Sequence, residues 1–277
     1  MPGTTSQSDK AVRFRALHQG PGAFLIPNPW DAGSARILAG LGFQALATSS
    51  GACAGTLGKR DGKVTREEAL AHARAIVMAT GLPVSADLEK GFGDAPEAAA
   101  ETIRLAARVG LVGGSIEDAT SDKDKPLYDI NHATERVAAA VEAARALPFE
   151  FTLTARAENF LRGKPDLEDT IKRLQAFEKA GADVLMAPGL PDLAAVRAVC
   201  AALSKPVNFM AGIKGKSFTL AELQEAGVRR ISLATSLYRA AMSGLLEAAR
   251  EVKDKGSFAY LERSLTTPEL NGFMEIR

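Results

Sequence analysis

The chain is short of the residues that most often announce a chemistry. It has two cysteines, Cys53 and Cys200, too few for a disulfide framework and in keeping with a reducing cytoplasm. It has three histidines, His18, His72 and His132, which narrows the chemistries open to it. Net charge is almost absent: 34 basic against 33 acidic residues leave +1, so no field favours nucleic acid or an anionic membrane as partner. No long apolar run occurs, and the first ten residues are polar. Neither a membrane span nor a signal peptide is expected, and the expected location is cytoplasmic. What remains is a 277-residue globular chain, 46% hydrophobic and 24% charged, long enough for one large domain or two small ones.

Residues 1–10 read as a disordered tail rich in Ser, Thr and Gly, and Ala11 to Gln19 as a short amphipathic helix. From Phe24 onward a beat sets in, apolar runs alternating with helix-patterned segments. The runs are Phe24–Asn28, Phe43–Ser49, Leu82–Glu89, Val112–Glu117, Phe149–Arg156, Val184–Pro188, Pro206–Met210 and Arg230–Thr235. Thr65 with Glu68, and Thr219 with Glu222, are capping boxes that start helices. Gly181 and Gly227 end helices just before the next strand. Continuous apolar strands separated by single helices imply a parallel sheet covered on its outside. Eight such units in about 230 residues predict an α/β fold, one (β/α)8 TIM barrel over residues 11–277 with a C-terminal helical tail. A doubly wound open sheet is the alternative, but no first-strand Gly-x-Gly-x-x-Gly followed by an acid supports it.

Such barrels work at the carboxyl ends of their strands. The third run delivers Asp87 and Glu89, which share a face on an extended strand, and then the turn Gly91-Phe92-Gly93. Asp61 follows the second run, Glu117 ends the fourth, and Arg156 and Glu158 end the fifth. Four carboxylates crowded into a partly buried cleft cost on the order of several kcal/mol unless neutralised. An oxygen-only set selects a hard cation, Mg²⁺ or Mn²⁺ as a substitute, held by Asp87, Glu89, Glu117 and Asp61. Arg156 offers a planar fork suited to a substrate carboxylate or phosphonate. Ser49, Ser50 and Gly51 offer consecutive backbone amides as an anion nest. Each has a plainer reading: Asp61 as an Asp-Gly turn, Arg156 as a salt bridge to Glu158 or Glu117, and Ser49-Ser50 as a strand end. Gly212 to Ser217, ahead of a helix, could serve a different barrel enzyme as a phosphate loop.

Several motifs recur in one order: Asn-x-Trp-Asp-x-x-Ser-Ala-Arg from Asn28, Thr-Ser-Ser-Gly from Thr48, Leu-Gly-x-x-Asp ending at Asp61, Asp-x-Glu-x-Gly-Phe-Gly from Asp87, Ile-Glu-Asp from Ile116, and Thr-Ala-Arg-x-Glu from Thr154. Over about residues 12 to 250 this set resembles the isocitrate lyase/phosphoenolpyruvate mutase superfamily. The resemblance implies a Mg²⁺-dependent barrel enzyme, usually a homotetramer, that makes or breaks a C–C or P–C bond beside a pyruvate-type enolate. It implies Asp87 as the direct metal ligand, with Asp61, Glu89 and Glu117 holding the metal's waters. It implies the amides of Ser49, Ser50 and Gly51 on the substrate carboxylate and enolate oxygen, and Arg156 binding the same substrate. Glu158 and Asn208 complete the expected substrate contacts, and Asp61 and Lys123 join Arg156 as catalytic candidates.

The departures bear on the reaction. Isocitrate and methylisocitrate lyases carry Lys-Lys/Arg-Cys-Gly-His after strand four, whereas this loop, residues 119–126, has neither Cys nor His. Lys123 can fill the place of a phosphonomutase lysine, but that group's asparagine is missing. Near Gly189 the lyases' glutamate is absent, and Asn208 stands two residues early. The expectation is a lyase or decarboxylase acting on a small 2-oxo or 2-hydroxy dicarboxylate such as oxaloacetate or a substituted malate. The alternatives are a P–C bond phosphonomutase or phosphonopyruvate hydrolase, and a non-catalytic barrel that binds 2-oxo acids.

Overall fold

A computed structural model describes residues 5–216 and 218–275. Among them the order is α1 (Gln7–Gln19), β1 (Phe24–Ile26), α2 (Ala32–Gly40), β2 (Leu46–Ala47), α3 (Ser50–Thr56), α4 (Arg66–Ala79), β3 (Val84–Asp87), α5 (Pro96–Arg108), β4 (Gly113–Glu117) and α6 (Ile130–Arg145). Then come β5 (Thr152–Arg156), α7 (Leu167–Lys179), β6 (Val184–Met186), α8 (Leu193–Ala201), β7 (Val207–Met210), α9 (Leu220–Glu225), β8 (Arg230–Ser232), α10 (Ser236–Lys255), a 3₁₀ turn (Ala259–Arg263) and α11 (Thr267–Met274). The strands form one parallel sheet in the order β1-β8-β7-β6-β5-β4-β3-β2. At the remaining seam the Ala47 N–H donates to the Pro27 carbonyl at 3.0 Å, and Asn28 Nδ2 to the Thr48 carbonyl at 2.9 Å. The predicted (β/α)8 barrel is the observed fold.

Local chemistry explains the elements. Thr65 and Thr219 cap α4 and α9 in reciprocal boxes with Glu68 and Glu222, and Gly181 and Gly227 take φ of 101° and 95° where a helix must end sharply. Outward strand residues such as Val84, Ile116, Leu153, Leu185 and Phe209 are buried in one continuous apolar core under the helices. The inward register is different: Ser85 and Asp87, Ser115 and Glu117, Thr154 and Arg156, Asn208, and Arg230 and Ser232 alternate with those apolar positions. Barrels are ordinarily filled there with branched aliphatics, and this one is lined with polar groups.

Two elements depart from the sequence reading. The first helix begins at Gln7, inside the stretch read as a disordered tail, because Ser6 and Asp9 form a capping box. It closes the amino-terminal end of the barrel: Phe14 is fully buried beside Ile26, Ala45 and Val112, and its ring fills the space a Cβ on Gly113 would need. The second is α3, a short helix of small residues without apolar periodicity. Gly55 lets it approach Tyr238 of α10.

Candidate active site

The carboxyl ends of the strands open onto a cavity of about 280 Å³. Ser49, Ser50, Asp61, Asp87 and Arg156 stand on its wall, and Ser115, Arg230 and Ser232 lie deeper. Arg156 organises the acids. Its Nε donates to Glu158 Oε1 at 2.9 Å and its Nη1 to Asp87 Oδ1 at 2.9 Å, while Nη2 lies 3.2 Å from Glu117 Oε2 and 2.8 Å from Glu158 Oε1. Burial alone would loosen its proton, but the carboxylates of Glu158, Asp87 and Glu117 hold its pKa well above the ordinary value. Glu117 also accepts from Arg162 Nη2 at 3.0 Å. Burial, then the charge of Glu158, still pushes Glu117 upward. The sector keeps excess negative charge. Burial, and then Asp87, Glu117 and Asp61, raise Glu89 to about 7.

Asp87 is the last residue of β3, and its Oδ2 accepts from the Ser50 N–H, at the start of α3, at 3.3 Å. The first amides of a helix lack internal acceptors and carry the positive end of its dipole, so this end favours anions. Asp61 meets the same turn: a Cβ added at Gly51 would stand 3.2 Å from its Oδ2. The amide turn and two carboxylates thus converge on one side of the cavity.

Other expected residues lie elsewhere. Glu89 is past the end of β3 with φ of 48°, so the alternation of an extended strand does not apply to it. Its N–H donates to Asp87 Oδ1 at 3.2 Å, and it lines, with Cys53 and His72, a small hollow that adjoins the cavity and shares Thr48, Ser49, Ser50 and Asp87 with it. Glu117 and Glu158 are buried against Arg156 and are not on the cavity wall. Asn208 is turned to its neighbours, accepting from Arg230 Nε at 2.7 Å and donating to Ser232 Oγ at 3.1 Å, so both ends of its amide are engaged away from the expected substrate contact. Lys123 is exposed at the tip of the loop after β4 and does not reach the wall. Of the phosphate-loop candidate, Lys216 Nζ donates to the Gly189 carbonyl at 3.0 Å, and Ser217 lies outside the described residues.

Residues 14–253 match the model of the phosphoenolpyruvate phosphomutase family. The chain belongs to this family. A crystal structure from Burkholderia cenocepacia J2315, described only by the broad term lyase/mutase, is 52% identical, superposes with a TM-score of 0.95, and covers 97% of this chain and 96% of that one. The crystal structure of 2,3-dimethylmalate lyase, a member of the PEP mutase/isocitrate lyase superfamily, is 28% identical with a TM-score of 0.85, covering 96% and 94%. The oxaloacetate decarboxylase of Chromohalobacter salexigens is 29% identical, covering 91% of this chain and 88% of its own. Relatives of this phosphomutase-family chain thus include carbon–carbon lyases.

The donor set can be tested against a cation. Among the described residues no three of His, Cys, Asp or Glu converge as a closed cage would require. A hard cation that keeps its waters needs only one or two direct carboxylates. Asp87 on the wall with Asp61 beside it, and Glu89 raised by burial first and by the neighbouring carboxylates after it, fits that kind of site.

The phosphomutase-family barrel also holds a brace that sequence reasoning missed. Arg173 of α7 donates to Asp118 Oδ2 at 3.1 Å, to Asp169 Oδ2 at 2.7 Å and to the Tyr128 carbonyl at 2.9 Å, and Asp118 Oδ1 accepts from the Glu158 N–H at 2.8 Å. It ties the loops after β4 and β5 together and so places Glu158 against Arg156. Asp118, carried in the Ile-Glu-Asp motif, was the available signal.

Proposed function

We propose that the protein is a Mg²⁺-dependent carbon–carbon lyase acting on a small 2-oxo or 2-hydroxy dicarboxylate, through a pyruvate-type enolate. Oxaloacetate is the first candidate substrate and a substituted malate the second. The observation that carries the reading is the wall of the cavity: Asp87, Asp61 and the amide turn of α3 are on it, while the described residues lining it include no cysteine and no histidine. Cys53 is buried in α3, its thiol pushed up to about 11 by burial first and by the surrounding carboxylates after it.

A divalent cation held by Asp87, with Asp61, Glu89 and Glu117 about its waters, would supply positive charge at the substrate's carboxylate and keto oxygens. The chain's own part is to bind and to orient. The start of α3, whose Ser50 N–H donates to Asp87 Oδ2, would present its remaining amides to developing negative charge at that wall, which is worth most where water is excluded. Arg156 holds Asp87 through Oδ1 and Glu117 and Glu158 around it, fixing the acids before ligand arrives. Decarboxylation of a β-keto acid needs no further placed acid, because CO₂ departs with the bond and solvent protonates the enolate. A retro-aldol step does need one, and Lys123, on the loop after β4, is the residue we assign to it, which requires that loop to move toward the cavity.

The second reading is P–C chemistry, which the family's own description favours. Incubation with MgCl₂ and, separately, oxaloacetate, 2,3-dimethylmalate, 2-methylisocitrate and phosphonopyruvate, followed by NMR, separates the two. Pyruvate or another 2-oxo acid released by C–C cleavage is the expected result. Phosphate from phosphonopyruvate with no C–C cleavage overturns the lead. Tight oxalate binding without turnover of any of the four favours the binding barrel.

A further inference from the structure

A second guanidinium lies inside the barrel without a carboxylate beside it. Arg230 opens β8, is 5% exposed, and reaches the cavity below Asp87 and Arg156. Its Nε donates to Asn208 Oδ1 at 2.7 Å and its Nη2 to Thr154 Oγ1 at 2.9 Å, while Nη1 lies 3.4 Å from His18 Nε2. The Phe14 carbonyl, 2.8 Å from His18 Nδ1, can only accept, so Nδ1 carries the proton and Nε2 turns a lone pair to the arginine. Every one of these partners is neutral. Burial lowers the Arg230 pKa to about 9 and no acid raises it back, yet the group is still cationic at neutral pH. Arg156, by contrast, is surrounded by Asp87, Glu117 and Glu158.

A buried, unpaired charge is costly, and folds keep such violations at functional sites. The layer spacing suits a ligand. Thr154, which Arg230 touches, and Arg156 are two residues apart on β5 and face inward together, about 7 Å along the strand. That span is comparable with a four-carbon dicarboxylate and longer than oxalate.

We propose that Arg230 is the floor of the substrate cavity, an anion subsite that binds the second carboxylate of the ligand and selects dicarboxylates over shorter acids. Asn208, Thr154 and His18 are positioning residues that aim the guanidinium while leaving its charge unneutralised. The inference rests on the proposed function for the identity of the ligand and deepens it.

Titration calorimetry of the wild type and Arg230→Met with oxalate and with malate, in MgCl₂, tests it. Oxalate reaches only the upper layer, so its affinity should stay within about twofold, while malate weakens about tenfold or more, as expected for a lost charged hydrogen bond. Arg230→Met removes an unpaired buried charge, so its unliganded unfolding midpoint should hold or rise. Arg230→Lys, which keeps the charge, should recover part of the malate affinity and serves if the methionine variant fails to fold. Equal losses for both acids, no loss for either, or a lysine variant no better than methionine overturns the floor. A wild type that binds malate and not oxalate removes the enolate-site reading and leaves the floor standing. A wild type that binds neither overturns both.

Discussion

Arg156 and Arg230 face the same barrel interior in opposite company, and the difference predicts opposite responses to one substitution. Arg156→Met leaves Glu117 and Glu158 buried without their shared cation, which should lower unfolding free energy by about 3 kcal/mol in urea denaturation at pH 7.5 without ligand. An unchanged stability would mean the clasp does not hold these loops. His18 gives a pH signature. It is buried, and burial, with Arg230 second, depresses its pKa to about 3. Above the unfolded value near 6.5 the neutral ring carries no penalty; as pH falls, the unfolded chain takes up a proton that the folded chain refuses. Stability is therefore lost from about pH 6.5 downward until the folded value is passed, roughly 2 kcal/mol by pH 5. The His18→Leu variant should lack this part of the slope, and parallel pH profiles for the two proteins would contradict the assignment. At this scale Asp87 was legible because it ends a strand whose alternation holds. Glu89 was not, because the backbone turns left-handed at that residue. Arg230 was not, because an arginine pair at a strand start reads as solvated surface until the inward register is known.

Among the elements, α1 acts as a plug. Phe14→Ala should cost about 3–5 kcal/mol, since it empties fully buried space between α1 and the floor of the sheet. A chemical-denaturation midpoint unmoved by the change would show that the barrel closes without it. The loop after β4 is a narrow flap: Ala119 and Leu127 bridge antiparallel, Thr120 N–H donates to the Pro126 carbonyl at 2.9 Å, and residues 121–125 are exposed at the tip. Its base is anchored by Arg173 on the Tyr128 carbonyl, so a lid movement is expected only in the part carrying Lys123. Hydrogen exchange at 121–125 should slow on adding oxalate with MgCl₂; identical exchange would count against a lid. The eight strands and their helices were legible because burial on the helix-facing side leaves continuous apolar runs. Helix α3 was not, since Ser-Gly-Ala-Cys-Ala-Gly-Thr has no apolar stripe and is held by its neighbours.

At the scale of the whole molecule, the described elements from α10 onward bury no residue within the chain. Leu245, Leu246, Phe258, Leu261 and Leu265 are all at least half exposed. The start of α10 touches the barrel, with Tyr238 against Gly55 and the Trp30 ring, and α11 returns to it on α2, where Arg36 donates to the Met274 carbonyl. So much exposed apolar surface marks an interface, and we propose a homo-oligomer, expected as a tetramer. Sedimentation at micromolar concentration should show it, and a monomer alone would refute it. No described helix is long and apolar enough to cross a membrane. The central claim, a lyase site built on Asp87, is tested most directly by pyruvate release from oxaloacetate in MgCl₂, measured above the spontaneous rate. The wild type should turn oxaloacetate over, and Asp87→Ala should lose about 10²-fold or more of that rate with the circular dichroism of the fold retained. Equal rates in the two proteins would contradict it.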